Sequence, residues 1–282
     1  MELLRTRADL RSALSSQRRL GASIGLVPTM GALHRGHLSL IERAALDCDR
    51  VAVSIFVNPI QFGSPEDLER YPRDLDADVA LAAGSGADFV FAPTVEEMYP
   101  NGESPTTVEA GPVAGRLEGA ARPGHFRGVA TVVTKLVCLA GPCRAYFGEK
   151  DFQQLVVVRQ VARDLDLPAE VVGCGTVREA DGLAMSSRNR RLGAHERAAA
   201  PVLYRALVAG RDEVTAGAKD PEAVASAMER VVGCEPLAQL DYAEVRDPDT
   251  LAAMRTVSGE ARLLVAAELG GVRLIDNLGV TS

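Results

Sequence analysis

The feature that most constrains the fold of this chain is a regular alternation of strand-like and helix-like segments over roughly its first 185 residues. Short runs of apolar and β-branched residues alternate with longer segments in which apolar residues recur every three or four positions. The run 51–57 is apolar except for Ser54, which is typical of a central strand covered on both faces. The alternation predicts an α/β domain with a Rossmann-like, doubly wound parallel sheet.

Five strands and four helices can be placed from this pattern. Strands are predicted at 23–28, 51–57, 88–92, 144–147 and 169–174. Helices are predicted at 36–47, 74–84, 127–140 and 151–165. The rest of the chain favours a helix at 196–209 and a small sheet that includes 261–268 and 272–276. We therefore expect a Rossmann-like domain at 1–186 and a smaller α+β domain at 187–282.

Composition excludes several classes of protein. With 282 residues the chain can bury a substantial core. Its 31 Lys and Arg against 38 Asp and Glu give a net charge of −7 without a long basic run, which argues against a nucleic-acid surface. The five cysteines lack C-x-x-C spacing, so we expect most of them to be small buried hydrophobes rather than disulfides or zinc ligands. No apolar leader or bilayer-length stretch is present, so we expect a cytoplasmic protein without membrane contact.

The residues that follow each predicted strand are candidates for a binding site, because ligands of doubly wound sheets bind beyond the carboxyl ends of the strands. These segments hold amide, imidazole and charged side chains, which bind polar ligands. The candidates are Pro28, Met30, His34 and His37 after the first strand, Asn58 and Gln61 after the second, Gly148, Lys150, Asp151 and Gln154 after the fourth, and Val177 with Met185, Ser186, Ser187 and Arg188 after the fifth.

Two segments together predict a site for a nucleotide triphosphate. PTMGALHRGH at 28–37 joins a strand to a helix, where free backbone N–H groups and the helix dipole favour phosphate. MSSR at 185–188 adds the fixed positive charge of Arg188, flanked by hydroxyl donors. Histidines, a lysine and an arginine suit attack on an α-phosphate with pyrophosphate as the leaving group, because this reaction depends on positioning and charge stabilisation.

Other interpretations of these segments stay open at this point. His34 and His37 are spaced so that both can ligate zinc, although the remaining histidines, His125 and His195, lie in no ligand motif. The chain has no G-x-x-x-x-G-K-[ST] motif, and the GCG run at 173–175 lacks the third glycine of a dinucleotide fingerprint. Kinase and dehydrogenase functions are therefore disfavoured.

The two segments resemble the histidine signature and the mobile second signature that nucleotidylyl transferases share with class I aminoacyl-tRNA synthetases. A more specific resemblance, to the pantothenate synthetase family, is carried by six blocks that occur in order. They are PTMGALHRGH (28–37), SIFVNPIQF (54–62), YPR (71–73), HFRGV (125–129), FGEKDFQQ (147–154) and READGLAMSSRN (178–189). YAEV (242–245) and RLIDN (273–277) resemble the small domain of that family more loosely. The chain departs from the family pattern at Gly175, where a proline is expected, and at the basic pair 190–191.

The resemblance implies an AMP-forming acid–amine ligase. The carboxylate of pantoate attacks the α-phosphate of ATP, giving pantoyl adenylate and pyrophosphate, and the amine of β-alanine then displaces AMP to give pantothenate. Catalytic roles are implied for His34, His37, Lys150 and Arg188, with His37 as the proton donor. Contacts with ATP are implied for Met30, Gly31, Ala32, Leu33, His34, Arg35, Gly36, His37, Gly148, Glu149, Lys150, Asp151, Val177, Met185, Ser186, Ser187 and Arg188.

The same resemblance implies a pocket for pantoate and β-alanine. Gln61 and Gln154 suit a small hydroxy acid, because amides donate to a carboxylate and accept from hydroxyls without adding charge. An apolar wall is formed by Pro28, Met30, Val132 and Val133. Two further polar residues of the pocket are Asn58 and Arg122. An acyl adenylate has to be shielded from water, so the domain at 187–282 is expected to close as a lid.

A homodimer and Mg²⁺ bound with ATP are also implied. No acidic pair identifies itself as the magnesium site, and Asp76 and Asp78 are the nearest candidates, so no metal ligand is assigned. Two alternative functions remain. An adenylyl transferase of the same superfamily that acts on a phosphate ester requires a cationic acceptor pocket. An ATP-binding regulator without catalysis predicts the loss of His37, Lys150 or Arg188.

Overall fold

The computed structural model describes residues 1–102 and 106–282. Its contacts divide the chain into two compact units, Met1–Glu149 with Gln153–Gly175, and Lys150–Phe152 with Thr176–Ser282. This division falls earlier in the chain than the domain boundary expected after residue 186, and it assigns the segment 150–152 to the second unit. The two domains at 1–186 and 187–282 stay a prediction.

The first unit is built on a six-stranded parallel sheet, so the predicted doubly wound α/β fold is confirmed. Its strands are β1 (Glu2–Leu4), β2 (Ile24–Thr29), β3 (Arg50–Ile55), β4 (Phe89–Phe91), β5 (Cys143–Gly148) and β6 (Ala169–Cys174), in the order β1-β4-β3-β2-β5-β6. The five predicted strands are confirmed to within two residues at each end. β1 was not predicted, because a strand of three residues at the sheet edge is too short to show a period.

Helices flank this sheet and cover its apolar side chains. They are α1 (Arg7–Arg19), α2 (Arg35–Asp47), α3 (Pro65–Glu69), α4 (Leu75–Gly84), α5 (Val95–Met98), α6 (Glu118–Ala121), α7 (His125–Ala140) and α8 (Phe152–Asp164). Short 3₁₀ helices lie at Pro59–Gln61, Gly111–Gly115 and Glu149–Asp151. Ile41 of α2 and Ala82 of α4 pack with Val27 and Val53 of the central strands, all fully buried. α7 packs against β2, β5 and α1.

The strand order locates the point at which a ligand is expected to bind. From β2 the chain continues to β3 on one side, whereas from β5 it continues to β6 on the other. The order therefore reverses between the adjacent strands β2 and β5, where Leu26 pairs with Ala145. Doubly wound sheets bind ligands beyond the carboxyl ends of the strands at such a switch point.

The second unit has an antiparallel sheet of β7 (Ala238–Arg246), β8 (Glu260–Leu269) and β9 (Val272–Thr281). Gly270 and Gly271 form the two-residue turn between β8 and β9, with φ of +56° and +75°. Two successive positive φ angles define the hairpin turn whose twist matches that of the strands, and glycine adopts them without strain. The predicted strands at 261–268 and 272–276 are confirmed and extend further.

Three helices and one 3₁₀ turn complete this unit. They are α9 (Ala194–Ala199), α10 (Val202–Thr215), α11 (Pro221–Gly233) and a 3₁₀ helix at Ser187–Arg191. The prediction of one helix at 196–209 is wrong, since α9 ends before Pro201, which has no N–H to continue the helical hydrogen bonds. Leu203 and Leu207 of α10 pack with Met228 of α11 and Val265 of β8 in the core of the unit.

The cysteines are less buried than the sequence predicted. Cys174 is buried, Cys48 and Cys143 are partly exposed, and Cys138 and Cys234 are exposed. The prediction that most cysteines are buried is therefore wrong. Cys48 and Cys234 cap the carboxyl ends of α2 and α11, Cys143 begins β5, and Cys138 lies within α7. In the described ranges, no helix has both the length and the hydropathy to cross a membrane.

Candidate active site

His34 and His37 stand at the start of α2, just beyond the carboxyl end of β2. Their ring centroids are 4.0 Å apart. His34 caps the helix, and its Nδ1 accepts a 3.2 Å hydrogen bond from the Gly36 N–H. Because Nδ1 accepts, the proton of the neutral His34 ring is on Nε2, which is therefore a donor. The segment thus presents an imidazole donor at the positive end of a helix, where phosphate is stabilised.

The loop before α2 is held by a buried carboxylate, Asp78, from the first turn of α4. Asp78 Oδ2 accepts from the Ala32 N–H at 2.8 Å, and Oδ1 accepts from the Leu33 N–H at 2.7 Å. Asp78 is 3% exposed. Gly31 has φ of +82°, and a Cβ there would lie 2.8 Å from Asp78 Oδ2. The path of the histidine loop therefore depends on Asp78, which the sequence indicated only as a magnesium candidate.

Not every residue predicted to contact ATP offers its side chain at this place. The Leu33 side chain is 3% exposed and packs in the core of the first unit. Arg35 is exposed and forms an ion pair with Glu42. The buried Leu33 side chain therefore leaves only its backbone for a nucleotide contact. Met30, His34 and His37 are partly exposed.

A second group of polar residues follows β3. Gln61 ends the 3₁₀ helix at Pro59–Gln61 and is 7% exposed, and its Oε1 accepts from Asn58 Nδ2 at 2.9 Å. Arg122 Nη1 lies 3.3 Å from His125 Nε2, and His125 Nδ1 lies 2.9 Å from the Gln61 backbone O. Asn58 is completely buried, and its side chain forms hydrogen bonds with Gln61, with the Gly128 carbonyl and with the Tyr99 hydroxyl. The Asn58 side chain is therefore enclosed by other residues, whereas the Gln61 side chain keeps a small exposed area.

Helices α7 and α8 carry the remaining predicted pocket residues of the first unit. Val132 and Val133 lie on α7 and are 6% and 4% exposed. Gln154 is partly exposed on α8. Its neighbour Gln153 is buried and donates to two backbone carbonyls at 2.8 and 2.7 Å, so it has a structural role. Of the two adjacent glutamines, Gln153 thus stabilises the fold, whereas Gln154 can contact a ligand.

In the second unit, Lys150 is held through its backbone. The Asn277 Nδ2 on β9 donates to the Lys150 carbonyl at 2.8 Å. Asn277 is fixed in turn by the guanidinium of Arg262, which stacks on the Phe152 ring at 3.8 Å. The Lys150 Nζ lies 3.3 Å from Asp151 Oδ1. The lysine therefore projects from a backbone segment that is anchored to the sheet of this unit.

The segment that carries Arg188 is also ordered by hydrogen bonds within the second unit. The Met185 N–H donates to the Val177 carbonyl at 2.9 Å. Ser186 Oγ accepts from the Arg188 N–H at 3.2 Å and caps the 3₁₀ helix that follows. Asn189 Nδ2 donates to Glu179 Oε1 at 3.0 Å and to the Ala184 carbonyl at 3.1 Å. A small cleft of this unit is lined by Lys150, Ser186, Arg188, Asn189, Arg273 and Asp276, together with apolar residues.

The acidic residues near the histidine loop can be judged as ligands for a metal ion by the contacts that they make. Among residues 1–102 and 106–282, no group of three or more His, Cys, Asp or Glu is arranged to hold a metal ion. Asp76 is exposed, and both oxygens of Asp78 accept from backbone N–H groups. These two carboxylates do not fit a magnesium site, so no step is derived through a protein-held Mg²⁺.

Histidines on a helix N-terminus at the switch point of a doubly wound sheet define an α/β nucleotide-binding protein with the nucleotidylyl transferase fold. Comparison with known proteins narrows this class. The family model for pantoate-beta-alanine ligase matches residues 2–279, and the chain belongs to that family.

Curated relatives and solved structures agree with this assignment. The chain is 53% identical over 277 residues to a pantothenate synthetase of Roseiflexus sp. (strain RS-1), with 98% of each chain covered. The crystal structure of pantothenate synthetase from Thermus thermophilus matches with a TM-score of 0.92 and 50% identity, with 99% of both chains covered. The pantoate-beta-alanine ligase from Francisella tularensis, complexed with beta-gamma ATP and beta-alanine, matches with a TM-score of 0.80 and 34% identity over 99% of this chain and 97% of that one.

Proposed function

We propose that this protein condenses pantoate with β-alanine to give pantothenate, using ATP and releasing AMP and pyrophosphate. The family match over residues 2–279 carries the proposal. In the first half-reaction a pantoate carboxylate oxygen bonds to the α-phosphorus, and the bond from that phosphorus to the bridging oxygen of pyrophosphate breaks. In the second, the β-alanine nitrogen bonds to the acyl carbon, the bond to the AMP oxygen breaks, and the amine proton passes to solvent.

The proposed roles of the charged and imidazole groups follow from where negative charge develops. His34 donates from Nε2 and His37 acts as proton donor to phosphate oxygens as charge moves onto pyrophosphate. Lys150 and Arg188 neutralise the phosphates, and the planar guanidinium suits two oxygens at once. The N-terminus of α2 adds the partial positive charge of the helix dipole.

The nucleoside is assigned to backbone and carboxylate groups. Gly148 and Asp151 are proposed to hold the ribose, since a carboxylate accepts from both hydroxyls. Adenine is proposed to bind to the Val177 N–H and the Met185 carbonyl. The other two backbone groups of this pair are engaged with each other, since the Met185 N–H donates to the Val177 carbonyl. The Ser186 and Ser187 hydroxyls, the segment 30–37 and Glu149 complete the ATP-contacting set.

Pantoate is assigned to the amides of the first unit. Gln61 and Gln154 are proposed to bind its carboxylate and hydroxyl groups, and Arg122 supports the same pocket through His125. The apolar wall for its methyl groups is Pro28, Met30, Val132 and Val133. The Asn58 side chain is completely buried, so we propose that it acts on the substrate only through Gln61.

A metal ion, a lid and a second copy of the chain are proposed to surround the reaction. Mg²⁺ accompanies ATP as its counter-ion, and the domain at 187–282 acts as a lid that keeps water from the adenylate. We further propose a homodimer in the cytoplasm. Sedimentation equilibrium tests the dimer, since a mass near that of one chain contradicts it.

The test of the reaction separates its two halves. Labelled pyrophosphate is supplied with ATP, with and without pantoate, in the absence of β-alanine, and exchange of label into ATP is expected only with pantoate. Addition of β-alanine is then expected to release AMP and pantothenate in equal amounts. Exchange that does not need pantoate, or none with ATP bound, contradicts the proposal and favours another acceptor for the same adenylyl transfer.

A further inference from the structure

A buried chain of three polar side chains leads from the end of helix α5 to Gln61. Tyr99, just after α5, is 4% exposed, and its hydroxyl lies 2.8 Å from Asn58 Oδ1. Asn58 Nδ2 donates to Gln61 Oε1 at 2.9 Å and to the Gly128 carbonyl at 3.1 Å. Asn58 and Gln61 lie in one sequence block, whereas the links to Tyr99 and Gly128 join residues 41 and 70 positions apart.

The direction of these hydrogen bonds follows from the backbone carbonyl at one end. A carbonyl oxygen only accepts, so the Asn58 atom that faces Gly128 has to be the amide nitrogen. Its amide oxygen therefore faces Tyr99, and Tyr99 donates. The second hydrogen on Asn58 Nδ2 points to the Gln61 side chain, so the Gln61 atom that receives it has to be Oε1. The orientation of the Gln61 amide is thus determined by partners that cannot reverse.

The donor at the far end of the chain is stable. Burial raises the pKa of the Tyr99 hydroxyl far above its usual range, so Tyr99 keeps its proton across physiological pH. The ring is packed against Phe56 in a tilted arrangement, at a centroid distance of 6.1 Å, and Lys135 Nζ lies 5.5 Å from its centroid. Tyr99 is therefore a fixed donor to Asn58.

The backbone of Gln61 is fixed as well. The Gln61 carbonyl only accepts, so His125 Nδ1 carries a proton and donates to it at 2.9 Å. Helix α7 reaches the 3₁₀ helix at Pro59–Gln61 because residue 128 is glycine, where a Cβ would lie 2.4 Å from the Ile60 carbonyl oxygen. Both the main chain and the amide plane of Gln61 are thus held before any ligand arrives.

We propose that Tyr99 and Asn58 are positioning residues that orient the Gln61 amide so that Nε2 faces the substrate. Gln61 then donates to an acceptor oxygen of pantoate, its carboxylate or a hydroxyl lone pair, and does not accept from a hydroxyl. This inference rests on the proposed function, since it requires that Gln61 contacts pantoate. It assigns Tyr99, which no sequence motif indicated, to the recognition of the acid substrate.

The first test removes only the Tyr99 hydroxyl. In Tyr99→Phe the buried Asn58 Oδ1 loses its donor, so the Asn58 amide that orients Gln61 loses one of its anchors. KM for pantoate is therefore expected to rise about tenfold. KM for ATP and for β-alanine is expected to change by less than about twofold, because the loss is confined to binding of one substrate. Unchanged KM for pantoate in a folded Tyr99→Phe protein overturns the proposal.

The matched control is Tyr146→Phe. Tyr146 is also fully buried, and its hydroxyl bonds to Asp47 Oδ2 at 3.2 Å and to Cys48 Sγ at 3.4 Å, at the opposite end of α2 from the histidines. This variant also removes a buried hydroxyl, but KM for pantoate is expected to stay within about twofold of wild type. An equal rise in both variants means a general loss of structure and overturns a specific role for Tyr99.

A second pair of variants tests the orientation itself and does not depend on the folding of Tyr99→Phe. Gln61→Glu keeps an acceptor toward Asn58 but replaces the Nε2 donor by a second acceptor. Its KM for pantoate is therefore expected to rise at least as much as that of Gln61→Ala, by about tenfold or more. If Gln61→Glu keeps the wild-type KM while Gln61→Ala does not, Gln61 accepts from pantoate and the proposed orientation is wrong.

Failure of the underlying function gives a different result. If the wild-type protein exchanges no pyrophosphate with pantoate, the proposed function is wrong. If wild type exchanges normally and Gln61→Ala keeps its KM for pantoate, the function stands and the role of Gln61 is wrong.

Discussion

Arg178 and Asp276 form a bidentate ion pair that ties the segment before Met185 to strand β9. Arg178 Nη1 lies 2.5 Å from Asp276 Oδ2, and Nη2 lies 3.0 Å from Oδ1. The Asp276 side chain is 2% exposed, and the guanidinium also stacks on the Tyr204 ring at 4.1 Å. The path toward the proposed ATP-binding residue Arg188 is therefore set by a buried pair of charges.

Loss of Asp276 is expected to destabilise the second unit strongly. Asp276→Ala leaves the Arg178 charge without its partner in a mostly buried place, which costs about 3–5 kcal/mol in the free energy of unfolding. The control, Asp241→Ala, breaks the pair with Arg273, whose side chains are 46% and 26% exposed, and is expected to cost less than about 1 kcal/mol. Urea unfolding of both variants checks this, and equal losses contradict it.

Asp78 is expected to affect the reaction through the histidine loop. In Asp78→Asn one of the two backbone donors faces an NH₂ group, so the loop that carries His34 shifts. Displacement of a catalytic group by about 1 Å lowers kcat by roughly a hundredfold, and we expect a loss of about that order. The exposed neighbour variant Asp76→Asn is the control and is expected to keep wild-type kcat.

The same Asp78 variant separates a structural role from a metal role. Titration of Mg²⁺ at saturating ATP is expected to give the same half-maximal concentration in Asp78→Asn and wild type. A raised magnesium requirement with unchanged kcat indicates instead that Asp78 binds the metal.

Gly128 is expected to tolerate no side chain. Gly128→Ala places a Cβ 2.4 Å from the Ile60 carbonyl oxygen. That oxygen belongs to the backbone and cannot move aside as a flexible side chain can. Such overpacking costs about 1–3 kcal/mol, and the displaced Gln61 raises KM for pantoate as well. Gly63→Ala, in open space on the same segment, is the control, with an expected change within about 0.5 kcal/mol. Thermal unfolding and pantoate kinetics measure the two effects.

Arg188 is expected to contribute to catalysis and little to stability. It is partly exposed at the start of a 3₁₀ helix, so Arg188→Ala is expected to lower the rate of pyrophosphate exchange at least about a hundredfold while unfolding free energy changes by less than about 1 kcal/mol. Arg190→Ala, two residues on and exposed, serves as control. A parallel fall of melting temperature and activity contradicts the catalytic role.

The cysteines are expected to differ in reactivity. Burial raises the pKa of the Cys143 thiol to about 12, so only roughly 10⁻⁴ of it is thiolate at pH 8. Iodoacetamide is therefore expected to modify the exposed Cys138 and Cys234 first. The rate at Cys143 is expected to rise about tenfold per pH unit up to pH 9, because the thiolate fraction grows in that proportion below the pKa. Peptide mapping follows each site, and equal early labelling of Cys143 contradicts the prediction.

Several features could be predicted because they depend on local pattern. The strand 51–57 and the helix at 36–47 are recognisable from side-chain periodicity, and parallel strands bring the residues that follow them to one edge of the sheet. Helix α1 was missed because only Leu10 and Leu14 on it are fully buried, too few to mark a period. The helix predicted at 196–209 is two helices that meet at Pro201, and a proline at this position is itself a sequence indication of a helix boundary.

The sequence by itself determined the doubly wound sheet, the histidine segment at its edge and the family to which the chain belongs, because these depend on periodicity and on motifs of adjacent residues. Only the tertiary structure decided which polar groups hold them: Asp78 under the histidine loop, Tyr99 and Asn58 behind Gln61, and Asp276 beneath Arg178. Apart from Asn58 and Gln61, which share one motif, these partners lie from 41 to 98 residues apart, and hydrogen bonding between distant residues leaves no period in the sequence. Their roles follow from burial, since a buried polar group needs a partner that the fold alone can supply.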